Sequence, residues 1–376
     1  MSQYVLTRED MKPLLEGLAV FGTGGGGSPL FGKAIMENDF KRGRKYILVD
    51  AQDIKDNAFV VSGGIMGSVA AIDALGVDSV VQHWEKRFEL MQALQVMEEL
   101  FKKKVDYLVP FELGGLNTPV ILSLGARAGI SVINGDALGK AAPETQMTSF
   151  LGHGISLTPM PLVDDRGNVI IVKDSQNIFF PDEIGRWMIT NAGGMGANTH
   201  YPMSGKQLKS SVVPGGITKA LKVGKAIISS QDKQKSAVGV VCSLVNGHLL
   251  FRGIVEEIKE EDRGGFLNKT VVIKGINENS NRWAKLIIKN EVMLCQIEKK
   301  IVCISPDLII ILSSRTGKAI MSSHLRKGED ISIVIAPCHS RLREALKSSQ
   351  GKLAFSPVRF GYKDLEYSPL ELLYKK

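Results

Sequence analysis

The sequence predicts an α/β N-terminal domain with a layered, largely parallel sheet, followed by a mainly β, barrel-like C-terminal domain. Helical and strand-like segments alternate up to about residue 165, the pattern of an α/β layer. From Ala237 onward, short β runs separated by turn residues dominate, as in a sandwich or barrel. At 376 residues the chain exceeds one average domain. The boundary falls near residue 165, giving domains 1–165 and 166–376 with the Asp165-Arg-Gly turn as linker.

Taken in order, Thr7 to Phe21 predicts a helix, with an N-cap threonine, acidic residues in its first turn, and Met11, Leu14, Leu15, Leu18 and Val20 at near-helical spacing. It ends in Gly22-Thr-Gly-Gly-Gly-Gly-Ser-Pro29, ahead of a second helical segment, Leu30 to Phe40. Tyr46 to Val49 and Phe59 to Val61 predict short strands, the second running into Ser62-Gly-Gly-Ile-Met-Gly67. Glu85 to Lys104 predicts one long amphipathic helix. Val105 to Phe111 is a strand, Asn117 to Ala128 a helix with Asn117 as N-cap, and Ile130 to Ile133 a strand after Gly129. Past the boundary come a strand at Val169 to Val172, a helix from Asp182 to Asn191 capped by Asp182, and a helix from Gln207 to Gly224. The β runs begin with VGVVCSLV around Cys242 and include the apolar Leu308 to Leu312.

Composition narrows the function classes. No apolar run approaches the eighteen or so residues a membrane span needs, and the N-terminus lacks the apolar region of a signal peptide, so the expectation is a cytoplasmic protein. Cys242, Cys295, Cys303 and Cys338 are scattered without a C-x-x-C pair, which suits reduced, buried thiols. The net charge of +8 hides an asymmetry: residues 1–165 carry −5 and residues 166–376 carry +13. The cations are interleaved with acidic runs such as Glu256 to Asp262, without a basic stripe or aromatic platform, so a nucleic-acid partner is not expected. The six histidines form no H-x-H or H-E-x-x-H pair, so no metal site is assigned, although Glu112, Asp136 and Glu144 could hold a hard cation through oxygen. No cofactor is expected.

The strand-helix-strand unit from Val105 to Ile133 is the most informative stretch. So short a crossover joins parallel neighbours, which places Glu112 and Asp136 at the same carboxyl edge, where open α/β sheets bind ligands. Gly114, Gly115, Gly135 and Gly139 let the backbone turn or approach a ligand there. The alternative is that each carboxylate caps its own loop. Gly22 to Gly27 contains G-x-G-x-x-G but follows a helix rather than a strand, so it is no dinucleotide fingerprint; its amides serve either an anion or ring carbonyl, or close helix packing. The Gly64, Met66 and Gly67 segment ends its strand toward the same edge. His200 closes a glycine-rich loop from Asn191 that either completes the cleft or is a satisfied loop histidine.

These motifs together resemble a known family. GTGGGGSP, PFELGGLNTP, NGDALGKAAPETQMTSF, DRGN, PMSG, KNE, SPDLIIILSSRTGKAI and PVRFGYKDLEYSP, collinear from Arg8 to Pro369, are similar to the S-methyl thiohydantoin desulfurase family, also known as DUF917. The resemblance implies an N-terminal α/β domain, a C-terminal β-barrel-like domain, and hydrolysis of an S-methyl thiohydantoin to hydantoin and methanethiol, in a group often found beside hydantoinases. The chain departs from the family at Asn134, where an Asp is usual, at Lys140, usually Arg, and at Val69, where a Pro-Thr-Val stretch normally follows Met66-Gly67.

The expected mechanism gives Glu112 or Asp136 the role of base, with the other orienting or donating and Glu144 nearby. Asn117 binds the ring, and the backbone of Gly24, Gly25, Gly26 and Gly27 serves its carbonyl. Gly64, Met66, Gly67, Gly114, Gly115, Lys140 and His200 complete the expected binding set. The expected partners are a small cyclic amide or thioimidate substrate, a hydantoinase, and further copies of the chain in a homo-oligomer. The alternatives are a non-catalytic ligand-binding or partner subunit of a hydantoinase system, and a metal-assisted cyclic amidohydrolase.

Overall fold

The computed structural model describes residues 3–67, 76–232 and 237–374; the departure at Val69 lies outside the described residues. The N-terminal half is built on a mixed eight-stranded sheet. In chain order its strands are β1 (Gln3–Leu6), β2 (Tyr46–Val49), β3 (Phe59–Gly67), β4 (Tyr107–Pro110), β5 (Ser131–Ile133), β7 (Met160–Asp164), β8 (Val169–Val172) and β9 (Met195–Ser204). A two-residue strand β6 (Gly135–Asp136) pairs separately with β10 (Val213–Pro214). The spatial order is β1-β2-β5-β4-β3-β9-β7-β8. Its centre, β2-β5-β4-β3, is parallel, and the strands flanking that block are antiparallel.

The parallel centre follows from the sequence. β4 and β5 are short apolar runs whose Leu108, Val109, Val132 and Ile133 are fully buried, as expected of strands covered on both faces. The helix Asn117–Ala128 makes the crossover between them and ends at Gly129, whose φ of +71° is the left-handed C-terminal stop. The Asp164 carboxylate accepts from the amides of Arg166 and Asn168, so the turn around Asp165 joins β7 to β8 within this first sheet.

The second half is a seven-stranded antiparallel half-barrel: β11 (His248–Arg263), β12 (Phe266–Gly275), β13 (Trp283–Lys289), β14 (Glu291–Ile297), β15 (Lys300–Ile304), β16 (Leu308–Ser313) and β17 (Asp330–Ala336), in the order β15-β14-β13-β12-β11-β17-β16. The unbroken apolar run of β16 has a simple cause. Alternate residues face opposite sides of a strand: Ile309 and Ile311 enter the half-barrel's own core, and Leu308, Ile310 and Leu312 enter the core shared with the α/β half.

Several elements differ from the sequence expectation. VGVVCSLV is helical within Ala237–Val245, because Val238, Val241 and Val245 bury one face at helical spacing and packing overrides the β preference of valine. Cys242 therefore lies on a helix, and all four cysteines are free thiols. The expected long helix from Glu85 breaks into Val77–Lys86 and Glu89–Phe101, since Arg87 and Phe88 are extended and Phe88 packs its ring 5.4 Å from Trp84. The Gln207 to Gly224 helix is two, Gly205–Ser211 and Gly216–Asp232, separated by β10, where Pro214 has no N–H to continue a helix. The first helix starts at Met11 with Asp10 at its N-cap, and Asp182 lies inside the helix Phe180–Thr190. Among the described residues no helix is long and apolar enough to cross a membrane.

Candidate functional site

Beyond the carboxyl end of β4 the chain passes through Phe111 and Glu112 into the glycines that precede the Asn117–Ala128 helix. A cavity opens there, lined by Gly26, Gly27, Gly64, Ile65, Met66 and Gly67 from the glycine-bearing segments and by Phe111, Glu112, Asn117, Glu144, Thr145, Arg186, Asn198, His200 and Glu291. Its volume of about 50 Å³ exceeds the roughly 10–15 Å³ that one water requires.

Glu112 is 2% exposed. Its Oε1 accepts from Asn117 Nδ2 at 2.7 Å and its Oε2 from the Ala142 amide at 2.8 Å. Burial pushes the carboxyl up to about 7, with the bonds from Asn117 and Ala142 and the charge of Lys140 opposing. Asn117 is the first helical residue rather than the N-cap, and its Oδ1 accepts from the Ile65 amide at 3.0 Å. One amide side chain thus ties β3 to Glu112, so Asn117 orients the carboxylate with both of its polar atoms.

Asp136 is placed differently from its expected partnership. It is fully buried, and its Oδ1 accepts from the amides of Leu138, at 2.7 Å, and Gly139. The other oxygen packs against Gly216 and has no partner. The chain after β5 turns to pair with β10, which takes Asp136 out of the cavity lining and makes it a cap of its own turn. Asn134, one of the departures from the family pattern, also lies off the cavity. Its side chain holds Thr218 and Asp50.

Glu144 does line the cavity, but its oxygens are committed. They accept from Lys289 Nζ at 2.5 Å, Gln146 Nε2 at 2.7 Å, and Arg359 Nε at 3.0 Å. Burial pushes Glu144 up, and Lys289 and Arg359 outweigh it to hold the carboxyl below its usual range. Lys140 is fully buried off the cavity, donating to Ser305 Oγ at 3.2 Å, and burial lowers its pKa.

The glycine segments divide by role. Gly26 and Gly27 reach the cavity, whereas Gly24 packs on Ser322 and Val292 and Gly25 lies under the Glu291 carboxyl. Gly114 and Gly115 do not line the cavity; they press on the backbone of Gly26 and Gly27, so these glycines serve close packing of two chain segments. His200 sits in β9 rather than in a loop, paired with Ser62 of β3. It is 1% exposed, burial lowers its pKa to about 3, and its Nδ1 has no partner. It faces the cavity as a neutral imidazole.

Sequence reasoning assigned no role to Glu291, Asn198 or Arg186. Asn198 is buried with Oδ1 unpartnered. Arg186 donates to the carbonyls of Pro143 at 2.6 Å and Gly265 at 3.1 Å, and its guanidinium lies 4.2 Å from the centre of the Phe266 ring, so it clamps the β11–β12 hairpin over the site. Glu291 comes from the half-barrel, 2% exposed, with Oε1 on the Gly26 amide at 2.9 Å and Oε2 unpartnered. The only sequence signal for it was the Lys289-Asn290-Glu291 motif. Among the described residues no group of three or more His, Cys, Asp or Glu side chains is placed to hold a metal ion.

Comparison with known proteins places this architecture. A crystal structure of a protein from Chromobacterium violaceum is similar over 98% of this chain and 100% of its own, with a TM-score of 0.77 and 22% identity, a likeness of fold. No curated protein matches the sequence. Two family models do, the S-Me-THD-like N-terminal domain over residues 9–174 and the S-Me-THD-like C-terminal domain over residues 176–370. Since they account for nearly the whole chain, the protein belongs to the S-Me-THD-like family, that of the S-methyl thiohydantoin desulfurases.

Proposed function

We propose that this protein is a hydrolase of a cyclic thiohydantoin- or hydantoin-like substrate, replacing the methylthio group of an S-methyl thiohydantoin by the oxygen of water to give hydantoin and methanethiol. The observation that carries this reading is Glu112: a buried carboxyl at the end of a parallel strand, held by two donors and facing a cavity large enough for water. A pKa near 7 suits a general base at neutral pH, because the group is both substantially ionised and basic enough to accept a proton.

In the proposed step Glu112 takes a proton from water as the oxygen bonds to the ring carbon that carries sulfur. Asn117 keeps the carboxylate aimed, and the free Nδ1 of His200 and Oδ1 of Asn198 meet the polar edge of the ring. Membership of the S-Me-THD-like family supports a thiohydantoin-related substrate.

The test incubates the purified protein with a panel of S-methyl thiohydantoins and hydantoins, following thiol release and ring opening separately. Thiol release is expected, and Glu112→Gln should lower kcat by about 10²-fold or more. The wild-type rate should rise with pH through about 7 as Glu112 ionises. Ring opening without thiol release would assign a cyclic amidohydrolase instead, and full activity of a folded Glu112→Gln would remove Glu112 as base.

A further inference from the structure

The half-barrel sends one carboxyl into the cavity. Asn290, at φ +57°, turns the chain between β13 and β14, its Oδ1 accepting from the Leu267 amide at 2.9 Å and its carbonyl from Ser322 Oγ at 2.6 Å. That turn aims Glu291 at the glycine segment of the other half. Glu291 Oε1 accepts from the Gly26 amide; the Gly26 carbonyl accepts from the amides of Leu116 and Asn117; Asn117 Nδ2 donates to Glu112. One hydrogen-bonded chain therefore links Glu291 to Glu112 across the two halves of the molecule. Glu291 lines the same cavity, and its Oε2 is buried without a partner. A buried polar atom left unsatisfied costs stability, so it marks a place where a ligand atom completes the bond.

We propose that Glu291 is a second catalytic residue of this site, the acid–base group for the ring nitrogen. The assignment rests on the hydrolysis proposed above. As water adds to the ring carbon and Glu112 takes its first proton, the C=N π pair moves to nitrogen, which takes the proton of Glu291. The tetrahedral adduct then collapses: the hydroxyl returns its proton to Glu291 as C=O forms, and the C–S pair leaves with sulfur, which takes the proton from Glu112. In net count the two hydrogens of water are matched by one gained at ring nitrogen, relayed through Glu291, and one on methanethiol, relayed through Glu112, and both carboxyls regain their starting states.

The electrostatics suit this division. Burial, reinforced by the charge of Glu112, raises Glu291 to about 8, against the opposing charge of the buried Lys140. Two neighbouring carboxyls with different affinities for protons make an acid and a base.

The experiment compares the full-length wild type, Glu291→Gln and Glu291→Asp for kcat and KM on S-methyl thiohydantoins between pH 5 and 10, with thermal melting to confirm folding. The expected results are a fall in kcat of about 10²-fold or more in Glu291→Gln, little change in KM, and loss of the descending limb above about pH 8. Glu291→Asp should keep part of the activity with that limb displaced. Wild-type kcat and pH profile in either variant, or a raised KM at unchanged kcat, would overturn the role of Glu291 while leaving the hydrolysis standing. Absence of thiol release by the wild type on every substrate would overturn the hydrolysis and this role with it.

Discussion

Glycine does two jobs in the segment that meets the cavity, and single substitutions separate them. A Cβ on Gly25 would lie 1.8 Å from Glu291 Oε1 and clash with the end of a flexible side chain. Gly25→Ala is therefore expected to expel the Glu291 carboxyl, lowering thiol release toward the level of Glu291→Gln with little loss of melting temperature. Gly26 has φ +69°, and its Cβ would lie 2.6 Å from the Gly114 backbone, which cannot move alone. Gly26→Ala should destabilise the fold by roughly 1–3 kcal/mol from overpacking and strain, read as a lower urea midpoint. If Gly25→Ala kept full activity, Glu291 would not be the group that the glycine seats.

The elements from the two halves are joined at the cavity rim by Glu144. It follows the β4–β5 unit in sequence, and it receives Lys289 from the end of β13 and Arg359 from the short turn Pro357–Phe360. The aromatic rings of Phe266 and Phe179 lie against these cations at 4.1 and 4.3 Å. Removing the carboxylate would leave Lys289 and Arg359 repelling each other without their hydrogen-bonded counter-charge, balanced only by the charge of Asp182. Glu144→Ala is expected to cost roughly 3–5 kcal/mol, as breaking a buried pair does. Denaturant unfolding measures this, and a change under about 1 kcal/mol would show that water satisfies the cations.

For the whole molecule, the buried carboxyls set a dependence of stability on pH. Burial raises Glu112, Asp136 and Glu291 to about 7, 7 and 8. Each binds its proton more tightly folded than unfolded, so its contribution is complete below the unfolded pKa and is lost as pH rises through the folded value. His200, lowered to about 3, acts in the opposite sense only up to about 6.5. Three losses outweigh that one gain, so the net fall is expected from about pH 4.5, the ordinary carboxyl value, to about 8, as a decreasing urea midpoint, and Glu291→Gln should remove its last part between about pH 7 and 8. An unchanged slope in that variant would mean that Glu291 is ionised in the folded state at neutral pH.

The two-part architecture, the β4–helix–β5 crossover and the location of Glu112 at a carboxyl sheet edge follow from local sequence, because alternation of apolar runs and the reach of a short crossover are properties of neighbouring residues. The rest depended on packing between residues far apart in the chain. Asp136 reads like Glu112 in sequence, but the pairing of Gly135–Asp136 with Val213–Pro214 makes it a cap. VGVVCSLV reads as a strand and is a helix because its neighbours cover one helical face. Glu291 lies 179 positions after Glu112, and only the antiparallel turn after β13, docked on a glycine segment without side chains, brings its carboxyl to the same cavity. Local residue order thus suffices for the fold class and for one cavity carboxylate, Glu112. The tertiary structure alone decided which second carboxyl faces it, since hydrogen bonds and burial between distant segments leave no periodic trace in the order of residues.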